Sequence, residues 1–387
     1  MFWKLQENVL NEEDIEVLVD FIRHTKRFTQ FEKVKEFEQE YSRWLGTKYC
    51  VYVNSGSSAN LLLIAALKEL YQWRLNDEII VPAVTWVTNI SPVMQYGLKP
   101  VFLDINLEDL SFDYDKLEAA ITSKTKAIFV THLIGFPANI NKIKNIIGNR
   151  DILILEDCCE SHGATIDGIK IGNFGVGSTF SFYWGHHITS VEGGVVCTNN
   201  EDLYKLVVLK RSHGLARELP IHYHEEIKAS HPDINFDFLF LTEGYNFRNT
   251  EFNAVLGLAQ IQKLDEFIKI RNSNYYKFLK ICEPYEDELV LFRTKGMSSF
   301  CFPFLFRHNG KMEGFLKHLK KNGIENRPII SGNLLRQPFL KQYYNSDNFS
   351  NADLLHSNGC YIGNNQFVDD VRLSRLKQIT NEFFRNE

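Results

Sequence analysis

Residues 151–164 read Asp151-Ile152-Leu153-Ile154-Leu155-Glu156-Asp157-Cys158-Cys159-Glu160-Ser161-His162-Gly163-Ala164. Four successive apolar residues suit a strand buried on both faces, because alternate side chains of a strand point to opposite faces of its sheet. Six similar runs are expected at 49–54, 78–84, 100–105, 127–132, 178–183 and 194–198. Helical periodicity falls between them, at 58–71, 114–121, 140–147 and 201–213. An earlier helix is expected from Phe31, Val34, Phe37, Tyr41, Trp44 and Leu45, which recur mostly three and four apart until Gly46 stops the run. Strand–helix alternation over about 200 residues predicts a doubly wound, mostly parallel α/β fold.

The pattern changes near residue 215. Residues 216–242 are polar and contain His and Pro, which predicts a long loop. A helix is expected over 250–270, continuing to about 279, then a strand at 300–306 and a helix at 314–322. The expected division is a large domain over 1–249 and a smaller α+β domain over 250–387, joined by the long helix.

Composition narrows the function class. The 387 residues carry 43 Lys+Arg against 48 Asp+Glu, a net charge of −5, with 44% hydrophobic residues. That excludes disordered and coiled-coil chains and gives no basic face for nucleic acid. Seven cysteines, an odd number with Cys158 and Cys159 adjacent and no C-x-x-C, do not form a disulfide scaffold or a zinc ribbon. The first residues lack an apolar signal core. The longest apolar stretch, 79–94, is broken by Pro82, Asn89, Ser91 and Pro92 and is too short to span a bilayer. A cytoplasmic protein is expected.

In an open α/β sheet, ligands bind beyond the carboxyl ends of the strands. After 49–54 comes Ser55-Gly56-Ser57-Ser58-Ala59-Asn60, a helix start that either binds a phosphate or is an ordinary cap. Trp86 follows 78–84 and either stacks on a flat ring or fills the core. Glu156-Asp157 follows 151–155; such a pair is costly to bury unless partnered, for instance by a cationic ring nitrogen or a helix cap. After 178–183 comes Trp184-Gly185-His186-His187, whose histidines are a base, metal ligands or surface. His222-Tyr223-His224-Glu225 has no clear third ligand, so no metal is expected.

Taken in order, Ser55-Gly56-Ser57, Trp86, Glu156-Asp157, Ser181-Phe182-Tyr183 and Glu192-Gly193-Gly194 resemble the DegT-type sugar aminotransferases that use pyridoxal phosphate. Gly244-Tyr245-Asn246-Phe247-Arg248-Asn249-Thr250-Glu251 and Leu256-Gly257-Leu258-Ala259-Gln260 extend the likeness to nearly the whole chain. The resemblance implies aspartate-aminotransferase fold type I: a large mixed, mostly parallel sheet flanked by helices, plus a smaller α+β C-terminal domain. It also implies a homodimer with shared active sites. One position departs from the pattern. Where those aminotransferases carry the lysine that forms a Schiff base, this chain has His186, and an imidazole cannot form that bond.

A Lys-to-His exchange there resembles the 3-dehydratases of deoxysugar biosynthesis. One branch also ligates an iron–sulfur cluster through closely spaced cysteines. Cys50, Cys158, Cys159, Cys197, Cys282, Cys301 and Cys360 provide no such set between 198 and 281, so no cluster is expected. The other branch uses the cofactor alone. His186-His187, Pro82-Ala83-Val84 with Trp86, Glu160, Arg211-Ser212-His213-Gly214 and Ile324-Glu325-Asn326-Arg327-Pro328 with Gly332-Asn333 match its style.

That branch implies loss of the C3 hydroxyl from a nucleotide-linked 4-keto-6-deoxy sugar, a GDP-linked manno-hexose or heptose. L-Glutamate renews pyridoxamine phosphate and ammonia is released. The implied roles are His186 as base, and Gly56, Ser57 and Ser181 at the phosphate. Trp86 would stack on the ring, Asp157 would meet its nitrogen, and Glu160 would be a further cofactor contact. Asn246 would reach the partner subunit's phosphate. His187, His213, Arg217, Glu325 and Arg327 would make sugar or supporting contacts. The rival expectations are an aminotransferase using another lysine and a silent cofactor-binding protein.

Overall fold

The seven strands expected between residues 49 and 198 form one sheet. The computed structural model describes residues 2–345 and 347–385. The strands are β1 (Tyr49–Val53), β2 (Glu78–Pro82), β3 (Lys99–Leu103), β4 (Thr125–Thr131) and β5 (Leu153–Asp157). A short hairpin, β6 (Thr165–Ile166) with β7 (Ile169–Lys170), lies outside this sheet, and β8 (Gly177–Ser181) and β9 (Gly194–Thr198) complete it. The order across the sheet is β1-β9-β8-β5-β4-β2-β3. Only β9 runs against its neighbours. Six strands therefore end on the same edge.

Alternation explains the continuous apolar runs. On β4, Ala127 and Phe129 enter one core while Ile128 and Val130 enter another. On β5, Leu155 goes one way and Ile154 the other. Both faces are covered, so each position must be apolar.

Helices α1 (Glu12–His24) and α2 (Glu32–Leu45) precede β1, and α3 (Gly56–Leu70) follows it. Gly46 ends α2 with φ +93°, a left-handed cap that glycine adopts at little cost. The N-terminus of α2 lacks a cap of its own. Glu251 supplies one from afar, accepting from the amides of Phe31 at 2.8 Å, Lys33 at 2.9 Å and Val34 at 3.0 Å.

Two expectations are corrected. Residues 216–242 are not a bare loop; they contain the helix His224–Ser230 and three single turns. The helical run from 250 is two helices, Glu251–Ile261 and Leu264–Cys282, broken at Gln262-Lys263. Ala254 and Ile261 of the first enter the core around α2; Leu264 at the start of the second enters it too, while Tyr275, Phe278 and Cys282 further along enter a second core. That second core also covers a three-stranded antiparallel sheet of β10 (Cys301–Leu305), β11 (Asn326–Pro328) and β12 (Gly359–Gly363), in the order β10-β12-β11. Among the described residues, no helix is long and apolar enough to cross a membrane.

Candidate active site

The edge where β1, β2, β4, β5 and β8 end opens into a cavity of about 760 Å³. Phe300, Cys301 of β10, Arg327 and Pro328 of β11 and Tyr361 of β12 line it from the second sheet. Nine of the residues singled out in the sequence meet here: Gly56, Ser57, Trp86, Asp157, Glu160, Ser181, His186, Glu325 and Arg327. Four do not line it. His187 is buried behind His186. His213 is exposed at φ +63°, and Arg217 donates to the Asp237 carbonyl at 2.7 Å. Asn246 is exposed, and its side-chain oxygen accepts from Arg248 Nε at 3.0 Å.

The start of α3 is built to leave donors free. Ser55 caps it, its hydroxyl accepting from the Ser58 amide at 3.1 Å. Helix geometry leaves the Gly56 and Ser57 amides without intrahelical acceptors, and the helix dipole favours an anion there. Two glycines explain how tightly this turn is packed. A Cβ on Gly56 would sit 2.7 Å from Ser181 Cβ, and one on Gly194 would sit 2.4 Å from the Ser55 carbonyl. The second glycine of Glu192-Gly193-Gly194 thus lets β9 pass against the turn that carries these amides.

The carboxylates at the end of β5 part company. Glu156 turns away from the cavity. Its oxygens accept from the amides of Gly172, Phe174 and Gly175 at 2.7–2.8 Å and face His132 Nε2 at 3.2 Å. Burial alone would raise its pKa, but His132 and these amides outweigh that and hold it below the usual carboxylate range. Because Ala138 donates its amide to His132 Nδ1 at 3.0 Å, the ring proton lies on Nε2, toward Glu156. Cys158 lies close enough to complete a metal-sized trio with these two, but their lone pairs are already engaged.

Asp157 faces the cavity. One oxygen accepts from Asn60 Nδ2 at 2.9 Å and the other from the Cys159 amide at 2.9 Å. Thr179 donates to the Asn60 carbonyl oxygen at 2.6 Å, which fixes the amide's orientation. A carboxylate has about four acceptor positions, so lone pairs remain toward the cavity.

His186 is half-buried, and its Nδ1 is enclosed without a hydrogen-bond partner. Burial, with the Arg271 guanidinium adding to it, holds its pKa down to about 4. His187 and His162 beneath it are also held well below the ordinary range by burial, with the Arg271 guanidinium adding to it. Glu160 moves the other way: burial raises its pKa to about 8, the Ile134 amide opposes this from 3.0 Å, and Asp157 adds repulsion. Both shifts favour the neutral forms, an imidazole able to accept a proton and a carboxyl able to donate one. Ile134 sits at φ +44°, unusual for a β-branched residue. Gly135 follows at φ +96°, where a Cβ would meet the Ser298 carbonyl at 1.9 Å.

Residues 8–375 match the DegT/DnrJ/EryC1/StrS aminotransferase family. The chain belongs to that family. Among curated DegT-family relatives, it is 39% identical over 370 residues to GDP-4-keto-6-deoxy-D-mannose 3-dehydratase of Escherichia coli O55:H7, covering 93% of this chain and 95% of the relative. It is 30% identical over 301 residues to GDP-perosamine synthase of Escherichia coli O157:H7, covering 77% and 76%. Among solved structures it superposes on the E. coli GDP-4-keto-6-deoxy-D-mannose-3-dehydratase with bound hydrated PLP with a TM-score of 0.90 at 35% identity, covering 98% and 99% of the two chains.

Some residues in and behind the cavity escaped sequence reasoning. Asn60, a polar residue opening the apolar run Leu61-Leu62-Leu63-Ile64, carried a usable signal. Arg271 carried another, because its neighbours at seven before and four and seven after, Leu264, Tyr275 and Phe278, form an apolar stripe. Phe300, Cys301 and Tyr361 carried none, because only the docking of the second sheet brings them to the cavity.

Proposed function

We propose that this chain is a C3 dehydratase, a lyase that removes the C3 hydroxyl of a nucleotide-linked 4-keto-6-deoxy sugar using pyridoxal and pyridoxamine phosphate. The observation that carries it is the imidazole of His186, in place of an amine, in the cavity that Asp157 also lines.

The donor set suits the cofactor. The free amides of Gly56 and Ser57, the helix dipole and the Ser181 hydroxyl would hold a phosphate. The spare lone pairs of Asp157 would hold a protonated ring nitrogen. Trp86, half exposed at the cavity, offers a flat apolar face. When bound, the cofactor supplies the electron sink. His186 would take and return a proton at the cofactor's C4′ carbon; being neutral at physiological pH, it accepts one without first losing another. A lysine there would recapture the cofactor covalently, and the imidazole removes that path. Glu160 would contact the bound cofactor as a hydrogen-bond donor, and Glu325 and Arg327 would meet the sugar nucleotide. L-Glutamate would serve as amino donor and ammonia would leave. We further propose a cytoplasmic homodimer in which Asn246 serves the partner's phosphate site, with the division 1–249 and 250–387 separating the cofactor-binding and C-terminal domains. The preferred substrate is a GDP-linked manno-hexose, with the heptose as its variant.

The test is ammonia release from GDP-, CDP- and dTDP-linked 4-keto-6-deoxy sugars, with PLP and L-glutamate added. Ammonia and a 3-deoxy product are expected with the GDP-linked hexose or heptose. An amino sugar formed without ammonia, or a borohydride-stable link between PLP and a lysine of the native chain, would overturn the reading.

A further inference from the structure

Arg271, on the helix Leu264–Cys282, is fully buried. No carboxylate pairs with it among the described residues, and burial lowers its pKa to about 10. A buried cation without a counter-ion is costly to keep, so what the guanidinium holds is informative. It donates to three backbone carbonyls: Asn364 at 2.6 Å, Phe300 at 3.1 Å and His186 at 3.4 Å. Each belongs to a different segment. Phe300 leads into β10, Asn364 follows β12, and His186 lies on the turn after β8. Asn364 closes the arrangement, its side-chain amide donating to the Arg271 carbonyl and to Ser299 Oγ, both at 2.9 Å. The other hydrogen bond to His186 from the backbone is local, its own amide to the Tyr183 carbonyl at 3.0 Å.

We propose that Arg271 is the positioning residue for His186, pinning the turn that carries the imidazole to the ends of two strands of the second sheet. The inference rests on the reading of His186 as the base. The planar fork of a guanidinium can serve three separated carbonyls, whereas an ammonium cannot span them in one plane. The docking of β10 and β12 is thus transmitted to the turn that carries the base, and the Phe300 ring lies 5.7 Å from the imidazole.

The experiment compares Arg271→Met and Arg271→Lys with the native holoenzyme, and repeats both in a His186→Lys background. In the first set kcat for ammonia release is expected to fall about 10²-fold in the Met variant, with KM for the sugar nucleotide within about twofold, and the Lys variant to recover part of the loss. In the second set the readout is covalent: the rate at which borohydride fixes PLP to position 186, read by peptide mass. His186→Lys alone is expected to label, and the double variant with Arg271→Met to label at least about tenfold more slowly. Equal labelling of single and double variants, or native kcat in a folded Arg271→Met protein, overturns the positioning role alone. No labelling in His186→Lys overturns the placement of residue 186 at the cofactor and the inference with it. If Arg271→Met does not fold, Arg271→Lys carries the same comparison, and native kcat together with labelling as fast as in His186→Lys alone overturns the proposal.

Discussion

Glu156 and Asp157 are adjacent in sequence and have opposite surroundings, because strand side chains alternate between faces. Glu156 is saturated by three amides and His132, while Asp157 keeps acceptor capacity toward the cavity. Asp157→Asn should lower ammonia release by about 10²-fold or more. It should also cost about 1–3 kcal/mol of stability, because an amide cannot accept from both Asn60 and the Cys159 amide; urea denaturation checks this. The two perturbed groups predict opposite pH effects. Glu160 keeps its proton up to about pH 8 when folded but loses it near 4.5 when unfolded. The folded state then binds more protons, so its contribution lowers stability as pH rises from 4.5 to 8. Glu160→Gln should remove that slope, gaining on the native chain as pH rises. His186, at about 4 folded against 6.5 unfolded, contributes stability that is present above 6.5 and lost as pH falls toward 4. Urea midpoints across pH 4–8.5 test both.

At the scale of elements, the phosphate end depends on close passage between β9 and the turn before α3. Gly194→Ala would press on the Ser55 carbonyl and move the Gly56 and Ser57 amides. The expected result is weaker PLP retention on dialysis, by about tenfold or more, with the sheet intact by circular dichroism. Gly135→Ala would clash with the Ser298 carbonyl at a positive φ and should destabilise the fold by about 2 kcal/mol or more, read as a lower Tm. The Gly-Gly pair was visible in the sequence as a motif, but its reason was not: the approach of Gly194 to Ser55 joins positions 139 residues apart. Conversely, the seven strands were legible because each is a short apolar run, a local property. The division of the helical run at Gln262-Lys263 was not legible, because Gln and Lys are both good helix formers.

At the scale of the whole molecule, one chain brings nine of the expected site residues into a single cavity and leaves His187, Asn246, His213 and Arg217 outside its lining. The proposed shared site in a dimer would account for Asn246, and it makes a complementation prediction. His186→Asn and Asn246→Ala homodimers should each be impaired, and mixing the two after subunit exchange should restore ammonia release, since one site per heterodimer then has both residues intact. A mixture no more active than its parents would assign Asn246 another role.

The order of strands and helices and the apolar faces of the sheet were determined by local sequence alone, because each depends on neighbours within a turn or a strand; Gly56, Asp157, Ser181 and His186 stood out by their places after strands, and only the resemblance gave them roles. Tertiary structure decided the rest. It separated Glu156 from Asp157, kept His186 neutral by burial, raised Glu160, and placed a buried Arg271 behind the base. Those are properties of desolvation and of contacts between distant segments, which exist only once the second sheet has docked on the first.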